Sequence, residues 1–357
     1  MNGCTSSECS HCPGIVCILG LLLSCSSIFA TIGFTELTMV NFLWAAHQLH
    51  HSSEDYNLTM GVRGSLFQRA ASFGFYQPLA ILGFPYTMVL VHVGLNYLVQ
   101  YWVHTDIVES IGPFEHVFMS PSHHRVHHGS NKWCLDKNYA GLFIIWDKLF
   151  GTFEAERKDE EIVYGLTVQP MSHNAVYLEL YYFKVLYDKV RSMTTLKDKL
   201  KSLVYGPGWM VGTPRLGDPE TFPDIKAPRA KYDPVLPLWK AWYIMIHMST
   251  VFLIQQILVH QLSVSSWFNI ITYLLCIFIS IGTFGGLVDN RWWAPLLETV
   301  RCAIFVAYAS SKPLSPFPMF DIILVTYSGA SMILWMTQSM YILLFNQRIA
   351  FKTFKLD

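Results

Sequence analysis

Four imidazoles fall within six residues of this chain: His123, His124, His127 and His128 in Pro121-Ser-His-His-Arg-Val-His-His-Gly129. On a helix, residues three and four apart share a face, so His124, His127 and His128 project to one side. Packing gives no reason for such a crowd, because a buried imidazole needs a partner and a surface helix gains nothing from clustered histidines. Neutral imidazole is the commonest protein metal ligand, and metal binding is the chemistry this spacing predicts. The bland alternative is a basic, solvated turn.

A second group, His47, His50 and His51, repeats the His-x-x-His-His spacing. One tetrahedral ion is satisfied by four ligands, so six or more histidines predict two metals. All-imidazole surroundings accept iron, zinc or copper, and residue type does not choose among them. His104, in Tyr101-Trp-Val-His-Thr105, closes a charge-free run. An ionisable residue in that position is a functional candidate, and with two clusters nearby it reads as a further ligand. His92, inside the same run, reads as hydrogen-bonded to a neighbouring helix. His116, His173, His247 and His260 belong to no motif and read as non-ligands. Glu54, Asp55, Asp106, Glu109, Asp136 and Asp147 lie near enough in sequence to accept the outer ring protons of ligating imidazoles. Ser-His-Asp hydrolysis is disfavoured, since the chain has no Gly-x-Ser-x-Gly elbow and so many histidines are superfluous to it.

The elements that hold these residues are apolar. Hydrophobic residues make up 52% of the 357 positions and charged ones 14%, well under the roughly 25% usual in soluble proteins. That composition belongs to a membrane protein. Lys+Arg and Asp+Glu balance at 25 each, which argues against nucleic acid as a partner. Residues 9–35 and 70–105 carry no formal charge, and neither do 241–288. About 20 apolar residues cross a bilayer core, so these runs predict one span, a membrane hairpin broken at Gly83-Phe-Pro85, and two more spans. The first run lacks a preceding Lys or Arg and reads as an uncleaved span rather than a signal peptide. Residues 322–347 add a span, and 295–318 are interrupted by Glu298, Arg301 and Lys312, giving five to seven in all. Crossing twice between 70 and 105 brings both histidine clusters to one side. Lys184, Lys189, Arg191, Lys197, Lys199 and Lys201 place that side in the cytosol. The Asn57-Leu-Thr59 sequon is then unused. Cys9-x-x-Cys12 lacks a second pair at a zinc-site spacing, and the eight cysteines read as ordinary membrane-segment thiols. The expectation is an all-α, polytopic membrane protein with a histidine-rich di-metal site on a cytosolic helical cap. Its expected divisions are 1–39, a di-metal domain with the hairpin at 40–165, a cytosolic linker region at 166–240, and C-terminal transmembrane helices at 241–357.

These motifs resemble the membrane-bound fatty acid hydroxylase superfamily of di-iron oxygenases. The residues carrying the likeness are Trp44-Ala-Ala-His-Gln-Leu-His-His-Ser-Ser-Glu-Asp-Tyr-Asn57, Trp102-Val-His-Thr105, Pro121–Gly129, Asp136-Lys-Asn-Tyr-Ala-Gly141, Trp146–Glu154 and Gly206-Pro-Gly-Trp209. Within the superfamily they match the branch acting on glycerol ether lipids rather than the sterol or sphingolipid hydroxylases. The resemblance implies an endoplasmic-reticulum membrane enzyme using two irons, tetrahydrobiopterin and O2. It implies hydroxylation of the carbon next to the ether oxygen, giving a hemiacetal that falls apart to a fatty aldehyde and a glycerol derivative. It implies that His47, His50, His51, His124, His127 and His128 are catalytic metal ligands joined by His104, with His123 as an eighth candidate.

One departure stands out. The family's His-x-x-x-His motif would fall at Phe34 and Thr38, neither of which replaces an imidazole. Residues 1–39 then read as a substituted beginning, and one metal as under-ligated. The alternatives are a sterol or fatty acid hydroxylase of the same superfamily, and a non-catalytic membrane protein that regulates the full-length enzyme.

Overall fold

The computed structural model describes residues 38–311, 314 and 317–345, together with Gly33 and Thr35. Most of the 9–35 run, the Cys9–Cys12 pair and Phe34 lie outside the described residues. Those described form helices and connecting loops, with two isolated bridges, Phe118 to Phe143 and Gly129 to Tyr164, and no strand. The chain divides into two compact units. One takes residues up to Pro170 with Glu179–Lys231, the other Met171–Leu178 with Tyr232 onward.

In the first unit, α1 (Asn41–His51) and α6 (Pro121–His128) carry the histidine clusters. Between them come α2 (Leu58–Val62), α3 (Leu66–Ser72), α4 (Gln77–Ile81) and α5 (Tyr86–Val103). The break expected at Gly83-Phe-Pro85 is present, with Gly83 at φ 81. The arm before it runs through α3, a 3-10 turn at Phe73–Tyr76 and α4 without a gap, and the arm after it is α5, of 18 residues. α6 starts where Ser120 accepts a hydrogen bond from the His123 N–H and Pro121 supplies the preset φ of a first helical turn. It stops at Gly129, where a Cβ would lie 2.5 Å from Cys134 Sγ, so only glycine fits. α7 (Ile145–Phe150) ends on Gly151 at φ 75. Val103, Met119, Ala140 and Ile144 form the core beneath α6, with Val99 and Phe153 packed against them. The basic region folds as α8 (Ala175–Ser192), which belongs to this unit from Glu179 onward, and α9 (Leu196–Val204), and Thr195 caps α9 through the Asp198 N–H.

The second unit holds α10 (Leu238–Gln261), α11 (Trp267–Val288), α12 (Ala294–Ser311) and α13 (Pro318–Phe345). Among the described residues, three helices are long and apolar enough to cross a membrane, Leu238–Gln261, Trp267–Val288 and Pro318–Leu344. Only 17%, 39% and 22% of their apolar windows are buried inside the protein, so most of that surface needs an apolar solvent. Of the interrupted segment, the part up to Ser311 folds as α12 and pairs two of its charges with each other, Arg301 to Glu298 at 2.6 Å. Val251, Phe284, Leu287, Ala294 and Trp335 form the core of this unit. Lipid tails are as apolar as these side chains, so close packing rather than water exclusion holds them together.

Candidate metal centre

The structure brings seven histidines together in two groups. His50, His104, His124 and His128 form one; His47, His51 and His127 form the other. Within each group the ligand nitrogens all lie within 4.8 Å of one another. Neither group follows the sequence motifs. His47 and His51, one turn apart on α1, join His127 from α6. His124 and His128, one turn apart on α6, join His50 from α1. Each helix therefore gives an i,i+4 pair to one group and its remaining imidazole to the other, so the two motifs interlock. His51 stacks on His128 at 4.3 Å between centroids, and His124 on His127 at 5.1 Å, which holds the groups against each other.

The four-histidine group fits a cation. His104 Nε2 lies 3.2 Å from His50 Nε2, 3.1 Å from His128 Nε2 and 3.0 Å from His124 Nε2. One imidazole nitrogen carries either one proton or one lone pair, so it cannot bond to three neighbours. The opposite edges of the rings fix which it is. His104 Nδ1 is 2.5 Å from the Gln100 carbonyl, His50 Nδ1 3.1 Å from that of Arg63, and His127 Nδ1 3.0 Å from that of Lys137. A carbonyl only accepts, so these three Nδ1 atoms hold the protons and the Nε2 atoms of His50, His104 and His127 present lone pairs, while the buried Nδ1 atoms of His124 and His128 have no hydrogen-bond partner. Converging lone pairs repel unless a positive ion sits among them. Burial reinforces the neutral form. It pushes His47 down to about 3 and His104 to about 4, and holds His50, His51, His124 and His128 well below the usual imidazole range, with nearby imidazoles adding to the effect.

His123 joins neither group. Its ring packs edge-on to Phe153 at 5.5 Å, and its backbone carbonyl accepts a hydrogen bond from Asn138. As an eighth ligand candidate it is left out, because on α6 it points away from the faces of His124 and His127. His92 Nδ1 finds no partner, contrary to the expected hydrogen bond. His247 sits in the second unit, bonded to Ser331 and Arg301.

The carboxylates expected around the imidazoles serve other ends. Asp147 accepts the Tyr139 and Ala140 N–H groups, each at 2.8 Å, and the Thr152 hydroxyl at 2.7 Å. Asp136 accepts from Tyr139. Glu54, Asp55 and Asp106 line a polar cavity of about 450 Å³ with Tyr56 and Tyr164. For His50, His104 and His127 backbone carbonyls do the work instead, and a carbonyl has no sequence signature. Asp147 and Asn138 nonetheless matter indirectly, since they fold the 136–141 segment that carries the Lys137 carbonyl to His127.

Arg125 escaped the sequence reading. It sits inside the histidine motif and makes a bidentate pair with Glu156 at 2.8 and 2.7 Å. The same guanidinium donates to the Thr105 and Val108 carbonyls at 3.1 and 3.0 Å. It thereby ties α6 to the segment that follows His104.

The three-histidine group opens on a largely apolar cavity of about 410 Å³, whose walls include Trp44, His51, His127, Tyr139 and Tyr182. Thr38 lines the same cavity. Its hydroxyl bonds to the Thr35 carbonyl at 2.9 Å. The position where the resemblance expects a further histidine thus lines the cavity onto which the three-histidine group opens.

The fatty acid hydroxylase family model matches residues 36–152, which contain all seven histidines. A model for the alkylglycerol monooxygenase C-terminal domain matches residues 241–327. The alkylglycerol monooxygenase of Danio rerio is 38% identical to this chain, over 84% of it and 67% of the relative. The chain belongs to the alkylglycerol monooxygenase family. Members from Xenopus tropicalis and Homo sapiens are 39% and 36% identical, over 75% and 78% of this chain. The chain spans 67%, 59% and 62% of the lengths of these three relatives. No solved structure matches it. Within the family, the first matched stretch supplies the histidine centre and the second the apolar helices α10 to α12 with the start of α13.

Proposed function

We propose that this chain is a membrane-bound, oxygen-dependent monooxygenase that cleaves the O-alkyl ether bond of alkylglycerols, releasing a fatty aldehyde and a glycerol derivative. The observation that carries this reading is the pair of interlocked imidazole groups beside an apolar cavity. His50, His104, His124 and His128 would hold one iron, and His47, His51 and His127 the second. Bound iron supplies oxygen activation, and tetrahydrobiopterin the reducing electrons. The protein's own part is positional. Carbonyls of Arg63, Gln100 and Lys137 keep the ring protons on Nδ1 and so present Nε2 to the ion. Trp44, Tyr139 and Tyr182 wall a cavity that suits an alkyl chain and keeps water from the reacting carbon. The three relatives of this family name and the three apolar helices support a lipid substrate reached from within a membrane; the membrane we assign is that of the endoplasmic reticulum.

The test is turnover of a radiolabelled alkylglycerol by chain reconstituted in lipid, supplied with iron, tetrahydrobiopterin and O2. Fatty aldehyde in step with pterin consumption is the expected result; turnover of a sterol without aldehyde overturns it. A second reading, a non-catalytic relative that regulates the complete enzyme, draws on Thr38 at the wall of the three-histidine group. Aldehyde formation by the chain alone removes that reading.

A further inference from the structure

We propose that helix α9 and the loop after it form a seat for an anionic phospholipid surface. α9 is inverted for a helix facing water. Leu196, Leu200 and Val204 are 73%, 54% and 51% exposed, whereas Ser202 on the opposite side is 1% exposed. Steps of four residues advance about 40° around a helix, so the three side chains form one slanting ridge. Met210 and Val211 in the following loop are exposed as well. A helix on a water-soluble surface turns such a stripe inward.

The charge around the ridge selects the occupant. Between positions 184 and 201 stand Lys184, Lys189, Arg191, Lys197, Lys199 and Lys201 against Asp188 and Asp198, a local excess of cations in a chain whose charges cancel over its whole length. Lys197 shares the exposed face, and Lys199 and Lys201 lie half-buried on its two flanks. An apolar ridge edged by lysines is the pattern of a helix lying in the headgroup layer, apolar side chains down and ammonium groups spread among phosphates. A second copy of the chain would bring the same cations against themselves, so charge favours lipid.

The seat connects to the metal centre. Asn41, wholly buried at the start of α1, donates through Nδ2 to the Ser202 carbonyl and through its backbone N–H to that of Tyr205, both at 2.9 Å. The surface on which α9 rests therefore sets the height of the helix carrying His47, His50 and His51. This inference stands whether or not the chain is a monooxygenase.

The experiment places the photo-crosslinker p-benzoylphenylalanine at Leu200, and separately at Val204, in the full chain embedded in lipid nanodiscs containing phosphatidylserine. Irradiation is expected to give adducts of phospholipid mass at both positions, and none from the exposed control position Lys226. Adding Lys197→Gln is expected to lower the yield about fivefold in these discs and to leave it unchanged in neutral ones, as one cation near an anionic leaflet contributes about 1 kcal/mol. Adducts to another copy of the chain, or no lipid adduct at either position, overturn the proposal. A lipid adduct indifferent to Lys197→Gln overturns its anionic part.

Discussion

His50 stands with its Nε2 3.2 Å from that of His104, fifty-four residues away, although the partners of its helix neighbours His47 and His51 lie in the other group. The centre is thus two sets sharing two helices, and the sets make different predictions. His104→Ala and His124→Ala touch the same group, so the double variant should bind no less iron than either single one, close to one ion per chain. His104→Ala with His51→Ala touches both groups and should leave the chain nearly iron-free. His260→Ala should change nothing. Metal analysis of purified variants decides; equal losses from all pairs would sink the grouping.

Thr38→His should raise iron content. Its position on the cavity wall beside His51 and His127 would add a fourth imidazole to the group that has three. The gain should appear as tighter retention of the second ion under chelator challenge, and should vanish when His127→Ala is added. Unchanged retention in a folded Thr38→His protein would mean that position 38 does not face the ion.

Arg125 should matter as much for order as for charge. Its side chain is 8% exposed and joins Glu156 to the backbone after His104. Glu156 is 28% exposed and keeps some water, so removing Arg125 should cost about 1–3 kcal/mol, the range for a lost hydrogen bond to a charged group. Arg125→Met should therefore lower the thermal midpoint and loosen iron, whereas Arg125→Met with Glu156→Leu should recover most of the stability and little of the iron. Recovery of both would show that Arg125 does not position His104.

Parts of this were legible in the chain and parts were not. The repeated His-x-x-His-His spacing announces metal, because helix periodicity alone puts three imidazoles on a face. It cannot say that His50 leaves its neighbours for His104, since that depends on how α1 and α6 are set against each other in three dimensions. The ring-proton acceptors were also hidden. Sequence distance suggested carboxylates, but the Arg63, Gln100 and Lys137 carbonyls take the protons, and any residue type supplies a carbonyl. The charge-free run at 70–105 suggested a hairpin, and Gly83-Phe-Pro85 is indeed where its two helical arms part, but the 3-10 turn at Phe73–Tyr76 inside the first arm has no such signal. Composition identified α10, α11 and α13 correctly because nothing but an apolar surrounding accommodates such helices.

The ion pair within the apolar unit gives the last prediction. Arg301 holds Glu298 through two bonds at 2.7 and 2.6 Å, Tyr243 donates to the same carboxylate, and Glu298 is fully buried. The guanidinium also donates at 2.9 Å to His247 Nδ1, whose Nε2 in turn lies 3.0 Å from the Ser331 hydroxyl. Because Nδ1 accepts, the proton of His247 is on Nε2, and the hydroxyl receives it. Helices α10, α12 and α13 are thus linked through one chain of donors and acceptors. Either charge alone would be stranded among apolar side chains, so Arg301→Met and Glu298→Leu should each destabilise the unit by about 3–5 kcal/mol. The double variant removes both charges and should come close to the parent in heat-unfolding measured in detergent. If the double variant is instead as unstable as the singles, the network earns its place through Tyr243 and His247, and Tyr243→Phe should then reproduce the loss.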